Sequence, residues 1–309
     1  MKKCVVIYNP NSGKSLKLKY IEEYKKILRK HDYDAKFITT EYRGHAREIA
    51  ESIEPTDLLI SMGGDGTFNE VVSGNLKRKE PLILAHIPVG TTNDVGVMFG
   101  YGKNVKDNLK KMLNGCIKGI DICTINNNPF VYVAGFGKFM HVPYDTPRKL
   151  KKKIGYFAYL VEGIKDFFNP IKLYNVSYKV DGIEKTGLYS FMLISSANRI
   201  AGINNFYRDV KLDDDKFEVL FCNFRRRIDM IKTFSLLMTH DASKVSGVEF
   251  YKTNKIELKF HDNPKNSWCI DGEKLETEEL KYEIHNIRNV QIMMPTKNID
   301  KIFINEKIG

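Results

Sequence analysis

Four short apolar runs, Lys3–Tyr8, Ala35–Thr39, Asp57–Met62 and Leu82–Val89, alternate before Asp121 with segments of helical periodicity. Runs apolar on both faces predict parallel strands covered by helices on each side. Between them Tyr20, Ile21, Tyr24, Ile27 and Leu28 recur at helical spacing, as do Ala46, Ile49, Ala50 and Ile53, then Phe68, Val71, Val72, Asn75 and Leu76. Strand–helix alternation joined by right-handed crossovers narrows the fold to an open parallel α/β sheet.

After Asp121 the pattern changes. Alternating runs at Lys172–Val180, Leu188–Ala197, Lys216–Cys222, Val248–Phe260 and Leu280–His285 predict successive strands of a mainly antiparallel, sandwich-like β domain. Helical spacing predicts two helices within it, Tyr156–Phe168 and Arg227–Thr239. The expected division is an α/β nucleotide-binding domain over 1–122 and a β-rich substrate domain over 123–289, with 290–309 a candidate to return to the first. A chain of 309 residues exceeds one comfortable core, which agrees with two domains.

Composition removes several function classes. With 42% hydrophobic and 28% charged residues the chain is neither disordered nor fibrous. Its apolar runs fall short of the ~20 residues a membrane-spanning helix needs. The N-terminal apolar run stops at Asn9-Pro10, too early for a signal peptide, so a cytoplasmic protein is expected. Five cysteines without a C-x-x-C pair, and histidines without metal-type spacing, argue against a disulfide framework and a zinc site. A net charge of +11 favours acidic partners: nucleotide phosphates, anionic lipid or nucleic acid. No interleaving of aromatics with Lys and Arg marks a nucleic-acid reader, so nucleic acid is not expected.

Three glycine-bearing turns each follow a predicted strand: Asn9-Pro10-Asn11-Ser12-Gly13-Lys14, Gly63-Gly64-Asp65-Gly66-Thr67 and Gly90-Thr91-Thr92-Asn93-Asp94. In an open parallel sheet such turns lie at the carboxyl ends of the strands, where ligands bind, so all three can serve one crevice. Glycine lets the main chain approach phosphate, and a helix N-terminus offers it N–H groups. Neither common nucleotide motif is present. Tyr8 stands where a Walker A loop needs its first glycine, and Asn69 where G-x-G-x-x-G needs its third. Asp65, a carboxylate in the middle of a phosphate turn, calls for an intervening cation and points to Mg²⁺ with a nucleotide triphosphate.

Together with Phe68-Asn69-Glu70, Pro88-Val89 and Asp271-Gly272-Glu273, these turns resemble the ordered signature of the diacylglycerol kinase catalytic-domain family, which includes sphingosine kinases and bacterial lipid kinases. Tyr144-Asp145-Thr146-Pro147 and Lys211-Leu212-Asp213-Asp214 extend the resemblance to soluble kinases of Gram-positive bacteria. It implies an active site between an α/β domain and a β-rich domain. It further implies an ATP site of Asn9, Pro10, Asn11, Ser12, Gly13, Thr40, Gly64, Asp65, Gly66, Thr67, Phe68, Asn69, Glu70 and Thr91. Asp65 would organise Mg²⁺ with Asp94 in support, and Glu273 would accept the proton of a lipid hydroxyl. A second, structural Mg²⁺ would sit at Asp214 and the carbonyls of Lys211 and Lys216, although Asp215 replaces the glycine of the relatives.

Without the other motifs Asp271-Gly272 reads as a hairpin turn. A lipid kinase that lacks a membrane span must meet its substrate at the inner membrane face. Arg148, Lys149, Lys151, Lys152 and Lys153, before the aromatic Tyr156–Phe168 segment, are the first candidate contact, and Arg225, Arg226 and Arg227 the second. Trp268 reads as core. The resemblance implies diacylglycerol as the acceptor, phosphorylated to phosphatidic acid; another lipid such as a sphingoid base, or NAD, is the alternative, and Asn9-Pro10 with Asp271-Gly272-Glu273 favours lipid over NAD. A lipid-sensing, non-catalytic role and a homodimer also stay open.

Overall fold

The computed structural model describes residues 1–12, 20–140, 142, 165–200, 202–204, 206–207, 209–240, 242–264 and 266–304. Gly13, the 144–147 segment, the basic cluster over 148–153 and the aromatic run as far as 164 lie outside the described residues. The chain forms two compact units, residues 1–121 with 288–309 and residues 122–287.

In the first unit the elements alternate: β1 (Lys2–Tyr8), α1 (Ile21–Lys30), β2 (Tyr33–Thr39), α2 (His45–Ser52), β3 (Leu58–Gly63), α3 (Asp65–Leu76), β4 (Leu84–Pro88), α4 (Asp94–Met98) and α5 (Val105–Leu113). The strands run parallel in the order β2-β1-β3-β4, with Val6 opposite Phe37 and Ile60, and Ile60 opposite Ala85. The chain steps outward from β1 to β2 and then crosses to the other side of β1. That reversal leaves a crevice at the carboxyl ends of β1 and β3. Strands β3 and β4 are buried along their whole length, as two-sided cover requires. The expectation of two-sided burial fails for β2, whose residues beyond Tyr33 are half-buried or exposed, because it is the edge strand with one neighbour.

Strand β5 (Cys116–Ile125) leads into the second unit, which contains β6 (Asn128–Phe130), β7 (Val133–Gly137), β8 (Tyr174–Val180), β9 (Ile183–Tyr189), β10 (Phe191–Ser195), β11 (Arg199–Ile200), β12 (Ile203–Asn204), β13 (Phe217–Cys222), α6 (Arg227–Thr239), β14 (Val248–Thr253), β15 (Lys255–Phe260), β16 (Cys269–Ile270) and β17 (Glu273–Lys274). The long β18 (Lys281–Met294) follows. Its first residues pair with β15, and Ile292 and Met293 pair in parallel with β4 of the first unit's sheet. Two antiparallel layers build the second unit: β15-β8-β9 with the start of β18, and β14-β13-β10-β7-β16-β17.

Aromatic side chains fill the space between these layers. Phe136 of β7 lies 4.7 Å from Phe260 of β15, Tyr178 of β8 stacks at 4.4 Å on Phe221 of β13, and Trp268 packs on Tyr282. Trp268 is fully buried, so the expectation of a core residue holds. The single run expected over Val248–Phe260 is two strands, because Thr253 turns the chain. Its hydroxyl donates to Asp181 at 2.7 Å and accepts from the Lys255 amide at 3.3 Å, sending β14 to one layer and β15 to the other.

Candidate active site

At the carboxyl ends of β1, β3 and β4 the three turns are tied directly to one another. The Asn9 amide follows β1 and donates to the Met62 carbonyl at 3.1 Å, while the Asn9 side chain donates to the Thr67 hydroxyl at 3.0 Å. Gly64 donates its N–H to the Ser12 hydroxyl at 3.3 Å. From the third turn, Val89 donates to the Gly63 carbonyl at 2.8 Å. Gly64 and Gly90 pass so closely that a Cβ on Gly90 would lie 2.6 Å from the Gly64 Cα, which only glycine permits. Gly64 precedes α3 in an extended conformation, with no side chain capping the helix. The α3 N-terminus therefore faces the crevice with its first N–H groups and positive dipole end.

Asp65 is the first residue of α3, half-buried, and joins the second turn to the third. Its carboxylate accepts the Asp94 amide at 2.9 Å and the Val95 amide at 3.3 Å. An anionic oxygen pair held rigidly beside a phosphate cradle is the donor chemistry Mg²⁺ takes, so these residues fit a magnesium nucleotide. Asp94 opens α4 and is buried at 1% exposure, so it reaches the crevice through its amide contact with Asp65.

In the second unit Asp271 and Gly272 join β16 to β17 with φ values of 47° and 84°, the signs of a two-residue hairpin turn. Asp271 does more than turn the chain. Buried at 4% exposure, its carboxylate accepts the amides of Val131 at 2.6 Å and of Tyr132 and Val133 at 3.1 Å each. Glu273, the next residue but one, is exposed.

The diacylglycerol kinase catalytic domain model matches residues 3–125, which contain all three turns. A diacylglycerol kinase of Staphylococcus aureus (strain JH9) is 30% identical over 310 residues, covering 98% of this chain and 96% of the relative. The chain belongs to the diacylglycerol kinase family. It is a kinase. The Bacillus subtilis (strain 168) diacylglycerol kinase is 27% identical across 98% of this chain and 99% of its own. The fold is shared with a solved diacylglycerol kinase from Bacillus anthracis str. Sterne, at a TM-score of 0.76 and 20% identity over 96% of this chain and 98% of that one.

Within this kinase the residues expected at the nucleotide separate by position. Asn9, Ser12, Gly64, Asp65, Thr67 and Asp94 are drawn into one bonded group. Pro10 is half-buried and Asn11 exposed beside them, with the Asn11 amide held by the Asn9 side chain at 2.9 Å. Gly66 lies in the first turn of α3, and Thr91 is exposed in the third turn. Three others look elsewhere. The Phe68 ring is fully buried and stacks on His86 at 4.7 Å, so it packs the core. The Asn69 side chain accepts from Ser73 at 3.4 Å. Glu70 accepts the Gly44 and Ala46 amides at 2.9 and 3.2 Å, fixing the N-terminus of α2 and the loop that carries buried Thr40. The Asp271 anchor was not recognised from sequence, where Asp-Gly signals only a turn; its partners lie some 140 residues away.

Proposed function

We propose that this kinase transfers the γ-phosphoryl group of ATP to the free hydroxyl of diacylglycerol, yielding phosphatidic acid and ADP. The observation that carries the reading is the bonded convergence of three phosphate-type turns on Asp65. Main-chain N–H groups at the α3 N-terminus would cradle the phosphates, with the Ser12 and Gly64 turns bonded to each other beside them. Mg²⁺ held through Asp65 would neutralise charge developing on the transferred group. Asp94 would keep the Asp65 carboxylate aimed. The acceptor oxygen forms the new P–O bond, ADP leaves with the old one, and Glu273 takes the hydroxyl proton.

Access to a lipid substrate is supported by α6. Ile228, Ile231 and Leu236 are 49%, 50% and 39% exposed on one side of this helix, and Lys232 lies among them. Arg225 and Arg226 precede it, and Phe168, 64% exposed, lies under the Arg227 guanidinium. Apolar side chains ringed by cations fit an anionic membrane surface met from the side. Among the described residues no helix is long and apolar enough to cross a membrane.

The test is phosphoryl transfer from labelled ATP to diacylglycerol, sphingosine, monoacylglycerol and NAD presented side by side. Transfer to diacylglycerol is expected, reduced roughly 10²–10⁴-fold in Glu273→Gln without a change in melting temperature. Transfer to NAD alone would overturn the lipid reading, and full activity in Glu273→Gln would remove the base.

A further inference from the structure

The resemblance places a divalent ion at Asp214, and the groups present there do not fit one. Lys252 of β14 stands directly opposite Glu218 of β13. Phe217, Val219 and Phe221 point into the core between the layers, so Glu218 projects from the other face, where it is nevertheless 1% exposed. The Lys252 ammonium lies 2.8 Å from Asp214 Oδ2 and 3.7 Å from Glu218 Oε1, and donates to the Asp209 carbonyl at 3.1 Å. Two acceptors lie within hydrogen-bond reach of the ammonium, and Glu218 faces it as an ion pair at longer range. The other Asp214 oxygen accepts the Lys216 amide at 3.1 Å, closing the turn on itself. Asp215 adopts the left-handed conformation, φ 57°, so the missing glycine does not prevent the turn. What opposes a metal is charge: a divalent ion on Asp214 would face the ammonium across a few ångströms in a half-dry setting.

We propose that Lys252 is the resident cation of the 209–216 turn in this kinase, a built-in ammonium standing where the family resemblance implies a metal ion, so that the second unit folds independently of Mg²⁺. The inference does not rest on the reading of the nucleotide site, and its test uses no nucleotide. Full-length protein stripped with chelator would be melted with and without millimolar Mg²⁺, as wild type, Lys252→Met and Lys252→Met with Asp214→Asn. Wild type is expected to shift by no more than about 1 °C with Mg²⁺. Lys252→Met is expected to melt roughly 5 °C or more lower, because it strips a buried carboxylate of its partner, and to regain part of that loss in Mg²⁺. Adding Asp214→Asn should abolish the regain. A Mg²⁺-induced rise in wild type that Asp214→Asn removes would overturn the proposal. So would a Lys252→Met protein that melts like wild type and ignores Mg²⁺. Should Lys252→Met not fold, Mn²⁺ binding followed by electron paramagnetic resonance decides: equal stoichiometry in wild type and Asp214→Asn supports the ammonium, and one ion fewer in Asp214→Asn refutes it.

Discussion

Asp65 and Asp271 are both aspartates whose carboxylates gather main-chain amides from distant parts of the chain, yet they are set up for opposite work. Asp65 is half-buried at a helix start and accepts two amides from the neighbouring turn. Asp271 is buried in a strand turn and accepts three, while its own amide donates to the Val133 carbonyl at 2.9 Å. The first keeps its charge at the edge of a crevice lined by glycine and small polar side chains. The second spends its charge inside the fold, fixing the hairpin from which Glu273 emerges. Position relative to solvent, more than residue type, decides whether a carboxylate serves chemistry or architecture.

Removing each carboxylate should separate these roles. Asp65→Ala is expected to cut kcat on the order of 10³-fold, as loss of charge stabilisation at a transferring phosphoryl group does. Its melting temperature should change little, since the lost helix-end contact is worth about 1 kcal/mol. Asp271→Ala should do the reverse. It leaves three buried amides without their acceptor, a loss on the order of 3–5 kcal/mol in denaturant unfolding. Activity measured well below its melting point should fall less steeply than in Asp65→Ala. Equal stability losses in the two variants would erase the distinction.

The same contrast governs what the sequence discloses. The first unit's strands and turns are legible because each is local: an apolar run, then glycine, then a helix start, all within a dozen residues. Strand–helix alternation discloses the open parallel sheet and two-residue alternation after Asp121 the antiparallel second unit, and the order of the turns adds the family resemblance. What stayed hidden is non-local. Nothing near Asp271 names Val131 to Val133 as its partners, and nothing near Asp214 names Lys252. The run over Val248–Phe260 carries apolar residues at even positions on both sides of Thr253, Val248 and Phe250 before it and Ile256, Leu258 and Phe260 after it, so periodicity could not show that its halves join different layers. Glu70 sits inside a phosphate motif but holds α2, a division of labour that depends on which way a helix face turns.

A smaller effect tests how closely the three turns must approach. In Gly90→Ala the new methyl would meet the Gly64 Cα at 2.6 Å and the Asn93 side-chain oxygen at 2.8 Å, and both neighbours are held by hydrogen bonds. The turns must spread, at about 1–3 kcal/mol of stability, and KM for ATP should rise with the cradle widened. An unchanged KM beside lowered stability would show that the third turn supports the crevice without touching the nucleotide.

The smallest expected effect lies beneath the cradle, where His86 of β4 is fully buried against Phe68. Burial disfavours the imidazolium and pushes this side chain from 6.5 down to about 3. Between those values the unfolded chain binds a proton that the folded chain refuses, so stability from this site is complete above pH 6.5 and falls as the pH drops toward 3. From about pH 7.5 to about pH 5.5 the fall should be about 1 kcal/mol for one such group. Glu218, which burial raises from 4.5 to about 8, contributes with the opposite sign in the same interval, so the His86 share is read as the difference between two proteins. His86→Leu, neutral at every pH and similar in volume, should remove that share from the slope of unfolding free energy over that interval while Asp65-dependent activity persists. An identical slope in wild type and His86→Leu would mean that the core under the α3 N-terminus admits a charge, and that the dry support assigned to the first unit's cradle is absent.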